Sequence, residues 1–133
     1  MKILVVEDEE YRCKWFREAC IGHSIDFAYD AEQAKDFLTK SFYNMIFLDH
    51  DLNDSHYAAF DNSLGLDSEA AKTTGAAVAE WMLIAKNNVQ AEIIVHSLNP
   101  VGSQNIYATL KIGNYNVRRV PFLELKKQLK NER

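Results

Sequence analysis

The stretch from Met45 to Leu52 constrains the fold more than any other part of the chain. Its apolar run, Met-Ile-Phe-Leu, ends directly in the polar sequence Asp49-His50-Asp51. An apolar run of this length without alternation is typical of a strand buried on both faces, as in a parallel sheet covered by helices. Because ligands bind at the carboxyl ends of the strands in such sheets, we expect these three polar side chains to lie at a ligand-binding edge.

Short apolar runs alternate with amphipathic segments along the whole chain. Strands are predicted at Ile3–Val6, Ser24–Tyr29, Tyr43–Asp49, Ala91–Val95 and Val117–Val120. Helices are predicted at Tyr11–Cys20, after an N-cap at Asp30, from Thr73–Gly75 onward, at Ser103–Ile112 and at Phe122–Lys130. This alternation predicts the α/β class, with a doubly wound, five-stranded parallel sheet of strand order 2-1-3-4-5.

The chain has 133 residues, and we expect a single domain over residues 1–133. Between His50 and Lys72 the sequence shows neither a helical nor a strand period, and it is rich in Asp, Asn and Ser. A segment of this length without periodicity is unusual in a compact domain and is often a lid or a binding loop. We therefore predict a long functional loop after the third strand, at about residues 50–72.

Charge and composition exclude several classes of function. The formal net charge is −4, whereas non-specific binding to duplex DNA needs a basic surface. Cys13 and Cys20 are read as ordinary thiols of a reducing compartment. The apolar N-terminal run is a strand and not a signal peptide, and no apolar run approaches the ~18 residues of a membrane span. We expect a cytoplasmic protein without membrane or duplex-DNA partners, although one local basic group would suffice for a small phosphorylated ligand.

Carboxylates follow the first and third predicted strands. Asp8 and Asp49, with Glu7 or Asp51, would supply the hard oxygen ligands that Mg²⁺ prefers, and Mn²⁺ is the alternative cation. Clustered carboxylates repel one another unless a cation or a proton is present. In the simpler interpretation, Glu7 belongs to the solvated start of the following helix.

Two histidines follow adjacent predicted strands. His50 comes after the third strand and His96 after the fourth, so the fold would bring both to one edge. Two imidazoles can divide the roles of general base and general acid, with Asp49 and Asp51 orienting a ring. The alternative is that each is a hydrogen-bonded structural histidine.

An anion site is predicted where the turn at residues 99–105 leads into a helix. Backbone N–H groups at the N-terminus of a helix favour phosphate, and polar side chains could add donors. The candidate phosphate-binding residues are Ser97, Asn99, Ser103, Asn105 and Arg119. The alternative interpretation is simple N-capping of the helix by Ser103.

Several of these motifs resemble the receiver domains of two-component response regulators. The resemblance is carried by Ile-Leu-Val-Val-Glu-Asp-Glu-Glu at 3–10, Phe-Leu-Asp at 47–49, Ser97, and Val-Pro-Phe at 120–122. It implies a flavodoxin-like, CheY-like receiver fold. It also implies that Glu7 and Asp8 bind Mg²⁺ and that Asp49 is the phosphoryl acceptor.

The departures from that pattern resemble a particular branch. Receiver domains carry a lysine before the proline after strand five, but Val120 stands here. The sequences Leu-Asp-His-Asp-Leu (48–52), Thr-Gly (74–75), His-Ser-Leu-Asn-Pro-Val-Gly (96–102) and Arg-Arg-Val-Pro-Phe (118–122), with Asn105, are similar to the cyclic-phosphate-processing receiver family. This resemblance implies binding or hydrolysis of a cyclic phosphate.

The leading hypothesis from the sequence is a phosphodiesterase that opens a cyclic phosphate on a nucleotide, an RNA end or an ADP-ribose-type ligand. His50 and His96 would transfer protons, with Asp49 and Asp51 supporting them. One alternative is a module that binds a cyclic nucleotide without turnover. Another is a phospho-accepting regulator that uses Asp49.

Overall fold

The computed structural model describes residues 1–52 and 74–131. Most of the loop predicted at about 50–72 and the residue Thr73 therefore lie outside the described residues. The described elements are β1 (Lys2–Val6), α1 (Glu10–Ala19), β2 (Ser24–Ala28), α2 (Ala31–Lys40), β3 (Met45–Leu48), α3 (Gly75–Ala85), β4 (Glu92–Val95), α4 (Pro100–Ile112), β5 (Asn116–Arg119) and α5 (Phe122–Asn131). No helix within these ranges combines the length and the apolar character needed to cross a membrane.

The five strands form one parallel sheet in the order β2-β1-β3-β4-β5. The predicted α/β class, the doubly wound flavodoxin-like topology and the strand order are therefore confirmed. The central strands β1, β3 and β4 consist mainly of apolar residues, because both of their faces are covered by helices.

The sheet separates two apolar layers. Leu4, Ile46 and Ile93 belong to the larger layer, which includes buried residues of α2, α3 and α4. Val5 and Phe47 point to the opposite face and pack in the smaller layer with residues of α1 and α5. Since side chains alternate along a strand, the residue two positions after Val5 or Phe47 enters the α1–α5 side.

Helix α4 begins three residues before the predicted start. Asn99 is its N-cap and accepts a hydrogen bond from the backbone N–H of Gly102 at 2.9 Å, and Pro100 occupies the first helical position. Proline suits that position because its missing N–H would have had no partner within the helix. The predicted helix start at Ser103 is wrong for this reason, and so is the alternative in which Ser103 caps the helix.

The strand register places one residue from each of three strands side by side at the carboxyl edge. Val6 pairs with Leu48 and Leu48 pairs with Val95. The backbone N–H of Asp49 donates to the carbonyl of Val6, and that of His96 donates to the carbonyl of Leu48. Glu7, Asp49 and His96 thus continue the ladder as one row, which faces the α1–α5 side.

Candidate functional site

The row at the end of the sheet forms a buried polar cluster of Glu7, Asp49 and His96. One ligand-type atom from each side chain lies within 4.8 Å of the other two. The shortest contact joins His96 Nε2 and Glu7 Oε1 at 2.8 Å, and the second oxygen of Glu7 accepts a hydrogen bond from the backbone N–H of Glu9. All three side chains are almost completely excluded from solvent. We call this group the buried triad.

Arg12 reaches the buried triad from α1 and is not among the residues predicted from the sequence. Its Nε atom lies 3.2 Å from Glu7 Oε1, and its Nη2 atom lies 4.0 Å from Asp49 Oδ2. The guanidinium also lies over the ring of Phe122, with 5.8 Å between Cζ and the ring centroid. A sequence signal exists, because Arg12 adjoins the buried Cys13 on the first turns of a helix that follows an acidic strand end.

Burial changes the protonation of the two carboxyl groups. It raises the pKa of Glu7 to about 7, although the Glu9 N–H and the charge of Arg12 oppose the shift. Burial also raises the pKa of Asp49 to about 6, and the charge of Glu7 adds to this effect. Two carboxylates this close are costly in a low dielectric, so each favours the protonated form of the other.

His96 is held as an uncharged ring. Burial lowers its pKa to about 4, and Asp49 opposes this shift while Arg12 adds to it. The imidazole packs against the rings of Phe16 and Phe122, at centroid separations of 5.1 and 6.4 Å. Its Nδ1 atom has no hydrogen-bond partner among the described residues.

His50 belongs to a second, more exposed group. Its Nδ1 atom lies 2.8 Å from Asp51 Oδ1 and 3.5 Å from Asn99 Nδ2. The ring rests against the first turn of α4, where a Cβ atom on Gly102 would overlap it. Its backbone N–H donates to Asp49 Oδ1 at 2.9 Å, so this residue links the two groups. The imidazole of His50, unlike that of His96, is in reach of solvent.

The predicted anion-binding residues at the start of α4 mostly bond to one another. Ser97 Oγ accepts a hydrogen bond from the backbone N–H of Asn99, and Ser103 Oγ donates to the carbonyl of Ser97. The N–H groups of Gly102 and Ser103 both bond to Asn99, and Pro100 has none. The helix therefore has little unused N–H capacity for an anion.

Three other predicted residues lie around these groups. Arg119 is exposed at the end of β5 and donates to Gln104 Oε1 at 2.7 Å and to the carbonyl of Pro100 at 3.3 Å. Asn105 is exposed on α4, and Asp8 is partly buried and is not a member of the buried triad. The roles assigned to all of these residues from the sequence stay predictions.

The donor atoms of the buried triad suit a divalent cation. Two carboxylates and an uncharged imidazole are common ligands of Mn²⁺, and the carboxylates alone suit Mg²⁺. Asp49 Oδ2 accepts no hydrogen bond from any described residue, although Asp49 is only 2% exposed. A lone pair on a buried carboxylate thus lacks a hydrogen-bond partner at the place where a cation would be held.

Replacing Asp49 by asparagine is expected to stabilise the fold by about 1 to 2 kcal/mol at about pH 8, because it removes a buried charge whose pKa is raised by about two units. The gain should disappear below about pH 3, where Asp49 is protonated in both states. Urea unfolding in EDTA measures the difference. Asp36→Asn on the exposed face of α2 is the control, and a destabilised Asp49→Asn protein would contradict the prediction.

Solved structures confirm the receiver fold. The response regulator TrrA of Thermotoga maritima, solved with Mg²⁺ and BeF, is 22% identical, with a TM-score of 0.61 over 98% of this chain and 96% of that chain. A receiver domain from Methylobacillus flagellatus is 15% identical, with a TM-score of 0.63 over 100% and 98%. A Burkholderia pseudomallei response regulator, solved with a phosphorylated aspartic acid and a calcium ion, is 12% identical, with a TM-score of 0.60 over 89% and 58%.

The solved structures show only the fold, whereas the comparison with family models identifies the family. No curated protein sequence matches the chain significantly. The model of the cyclic-phosphate processing receiver domain matches residues 2–112, which include β1 through α4 and therefore both polar groups. The resemblance inferred from the Asp49-His50-Asp51 and 96–102 motifs is confirmed: the chain belongs to the cyclic-phosphate processing receiver domain family.

Proposed function

We propose that the chain binds and hydrolyses a cyclic phosphate on a nucleotide, an RNA end or an ADP-ribose-type ligand at the carboxyl edge of its sheet. The family match supports a phosphorylated small ligand.

The observation that carries the proposal is the paired position of His50 and Asp51 at the rim of the edge. Asp51 Oδ1 lies 2.8 Å from His50 Nδ1, an arrangement that orients an imidazole for proton transfer through its other nitrogen. An imidazole that transfers protons must reach the ligand, and the side chain of His50 is partly exposed. His50 would therefore activate water or protonate the leaving oxygen.

The proposed role of His96 differs from the proton transfer that the sequence predicts for it. Its ring is completely buried and bonds to Glu7, so in this conformation it does not meet a ligand directly. It would hold Glu7 and Asp49 in position behind the reacting groups. The second proton-transfer role at the rim would then fall to water or to the ligand itself.

The charge of the phosphate would be balanced by guanidinium groups. Arg119 is exposed beside the first turn of α4, where it contacts Gln104 and the carbonyl of Pro100. Arg12 contributes a second positive charge next to Asp49. Ser97, Asn99, Ser103 and Asn105 would support the same region, mainly by fixing the turn. Preorganised charges of this kind stabilise the negative charge that develops on a phosphoryl group.

A divalent cation, Mg²⁺ or Mn²⁺, is proposed to bind near Glu7, Asp8 and Asp49. Such an ion would supply charge stabilisation for phosphoryl chemistry. Glu7 and Asp49 would hold it, and Asp49 also accepts a hydrogen bond from the backbone N–H of His50.

The experiment is a substrate panel with a matched pair of variants. Wild-type protein is incubated with 2′,3′-cyclic and 3′,5′-cyclic nucleotides, RNA ending in a cyclic phosphate, and a cyclic-phosphate derivative of ADP-ribose. Each is tested with Mg²⁺, with Mn²⁺ and with EDTA, and ring opening is followed by phosphorus NMR. We expect hydrolysis of at least one class.

For the hydrolysed class, His50→Gln should lower kcat/KM by about 10²- to 10⁴-fold, the usual contribution of a positioned acid or base. The control is His23→Gln, because His23 lies at the other end of the sheet and contacts the N-terminal amine. If every substrate survives all three conditions, hydrolysis is excluded for the panel. Equal activity in both variants would remove His50 from the mechanism.

A non-enzymatic binding module is the second candidate. It is favoured by the satisfied hydrogen bonds of the turn before α4, which suit a rigid binding surface. Thermal stabilisation by a cyclic nucleotide without turnover would support it. Phosphoryl acceptance by Asp49 is a weaker alternative, because Asp49 is buried and Val120 occupies the position of the receiver lysine. A response to acetyl phosphate would revive it.

A further inference from the structure

We propose that Glu7, Asp49 and His96 form a metal site with mixed oxygen and nitrogen ligands, which selects Mn²⁺ or a similar first-row transition metal over Mg²⁺. This set differs from Glu7, Asp8 and Asp49, the set implied by the receiver resemblance, because an imidazole replaces one carboxylate. The proposal concerns binding alone, so it stands or falls independently of hydrolysis.

The geometry of the buried triad is close to that of a metal site. Its three ligand-type atoms lie within 4.8 Å of one another. An ion with bonds of about 2.1 Å holds its ligand atoms about 3 to 4 Å apart, so small side-chain rotations would close the set. Glu7 Oε1 and His96 Nε2, which lie 2.8 Å apart, would hold the ion together with the carboxylate of Asp49.

An unsatisfied polar atom in the buried triad is an independent indication of a ligand. Asp49 Oδ2 lacks a hydrogen-bond partner among the described residues, and Asp49 is only 2% exposed. Buried polar atoms rarely lack partners in native proteins. A cation would give the carboxylate oxygen a partner and would reduce the repulsion between Glu7 and Asp49.

The identity of the third ligand determines the metal. Mg²⁺ prefers oxygen ligands and keeps several waters, whereas imidazole suits transition metals. His96 is uncharged and its ring is fixed by three phenylalanines, so its orientation is already set. An oriented neutral imidazole in a dry site is a strong donor to Mn²⁺ and a poor one to Mg²⁺.

Arg12 does not prevent such a site. Arg12 is less buried than the three triad residues, with 19% of its side chain exposed, and it already balances the charge of the same carboxylates. A guanidinium on a flexible side chain can turn towards solvent when an ion takes over its role. The charge of Arg12 is therefore compatible with a cation at the buried triad.

Electron paramagnetic resonance of the wild-type protein with Mn²⁺ tests the proposal directly. The protein is first dialysed against EDTA and then titrated with Mn²⁺ alone, and the loss of the free-ion signal gives the affinity. Pulsed measurements should detect hyperfine coupling to a directly bound imidazole nitrogen. Competing Mg²⁺ should displace Mn²⁺ only at about tenfold or greater excess. Absence of binding, absence of nitrogen coupling or easy displacement by Mg²⁺ would each overturn the proposal.

Three variants separate the two ligand sets. His96→Gln should weaken Mn²⁺ binding by about tenfold or more, as loss of a ligand does, and should abolish the nitrogen coupling. Asp8→Asn and His50→Gln should change the affinity by less than about threefold. If Asp8→Asn abolishes binding while the nitrogen coupling is missing, the all-carboxylate set is correct. Because the coupling is measured on wild-type protein, an unstable His96→Gln variant does not weaken the test.

Discussion

Replacement of Arg12 by methionine is expected to lower the free energy of unfolding by about 3 kcal/mol at about pH 8, and by less than about 1 kcal/mol at about pH 5. The guanidinium lies 3.2 Å from Glu7 and 4.0 Å from Asp49, and it is the positive charge next to both carboxylates in the described part of the chain. Its removal at high pH leaves two buried negative charges together. Removing one partner of a buried ion pair is much more costly than removing both.

The direction of the pH effect follows from the two carboxyl groups. In the folded protein the pKa of Glu7 is about 7 and that of Asp49 is about 6, above their ordinary values of 4.5 and 3.8. Between the ordinary and the folded pKa, the folded state binds more protons than the unfolded state. Stability from these groups therefore falls as the pH rises through that window. Arg12 lowers both pKa values. The Arg12→Met variant should therefore lose stability more steeply as the pH rises, and the loss should continue to a higher pH than in the wild type.

Urea unfolding in EDTA, at several pH values, measures this effect. Arg17→Met is the matched control, because Arg17 lies on the same helix but stacks on Phe27. It should cost less than about 1 kcal/mol at every pH. Adding Glu7→Gln to Arg12→Met should restore much of the lost stability at about pH 8, since it removes the charge left without a partner. Equal losses at pH 5 and pH 8 would show that Arg12 acts through packing alone.

Gly75→Ala is expected to destabilise the fold by about 3 kcal/mol, whereas Gly102→Ala should leave it within about 1 kcal/mol of wild type. A Cβ atom at Gly75 would overlap the backbone carbonyl of Asp49, which is fixed by the sheet. The N–H of Gly75 also donates to the carbonyl of His50 at 2.8 Å, so the helix cannot move away without losing this bond. Because the backbone is held at both Asp49 and Gly75, neither segment can move without a large cost in free energy.

At Gly102 the nearest overlapping atoms belong to the ring of His50. A side chain at the rim can rotate to another conformer, and alanine is the better helix former. Gly102→Ala should therefore displace the His50 ring from Asp51 while the fold remains intact. Urea unfolding gives the stabilities, and imidazole signals in nitrogen NMR report the ring. Loss of stability in Gly102→Ala comparable to that of Gly75→Ala would show that the ring has no alternative position.

Sheet topology and the residues at its edge could be predicted from the sequence. Strands β1, β3 and β4 each end where an apolar run meets a polar residue, and parallel order then aligns Glu7, Asp49 and His96. The burial of His96 could also have been predicted, because it lies two residues after the inward-facing Ile94 and so must point to the same side.

The interaction of Arg12 with the row could not be predicted in the same way. A periodic pattern identifies the buried face of α1, but it does not give the angle at which the helix crosses the sheet. That angle decides whether a residue at the border of the face, such as Arg12, reaches the strand ends or the solvent. The predicted start of α4 is wrong for a local reason, since Asn99-Pro100 is itself a strong helix start.

The shared row of Glu7, Asp49 and His96 restricts where the length of this protein can change. Insertion or deletion of one residue within β1, β3 or β4 would turn the following polar side chain to the other face, into the apolar layer against α2, α3 and α4. Residues added after Asp51 would not alter the row, and their cost would grow only slowly with length. Changes in the ligands that this edge can reach can therefore come from insertions in the connecting segments. The lengths of the strands, in contrast, must stay constant.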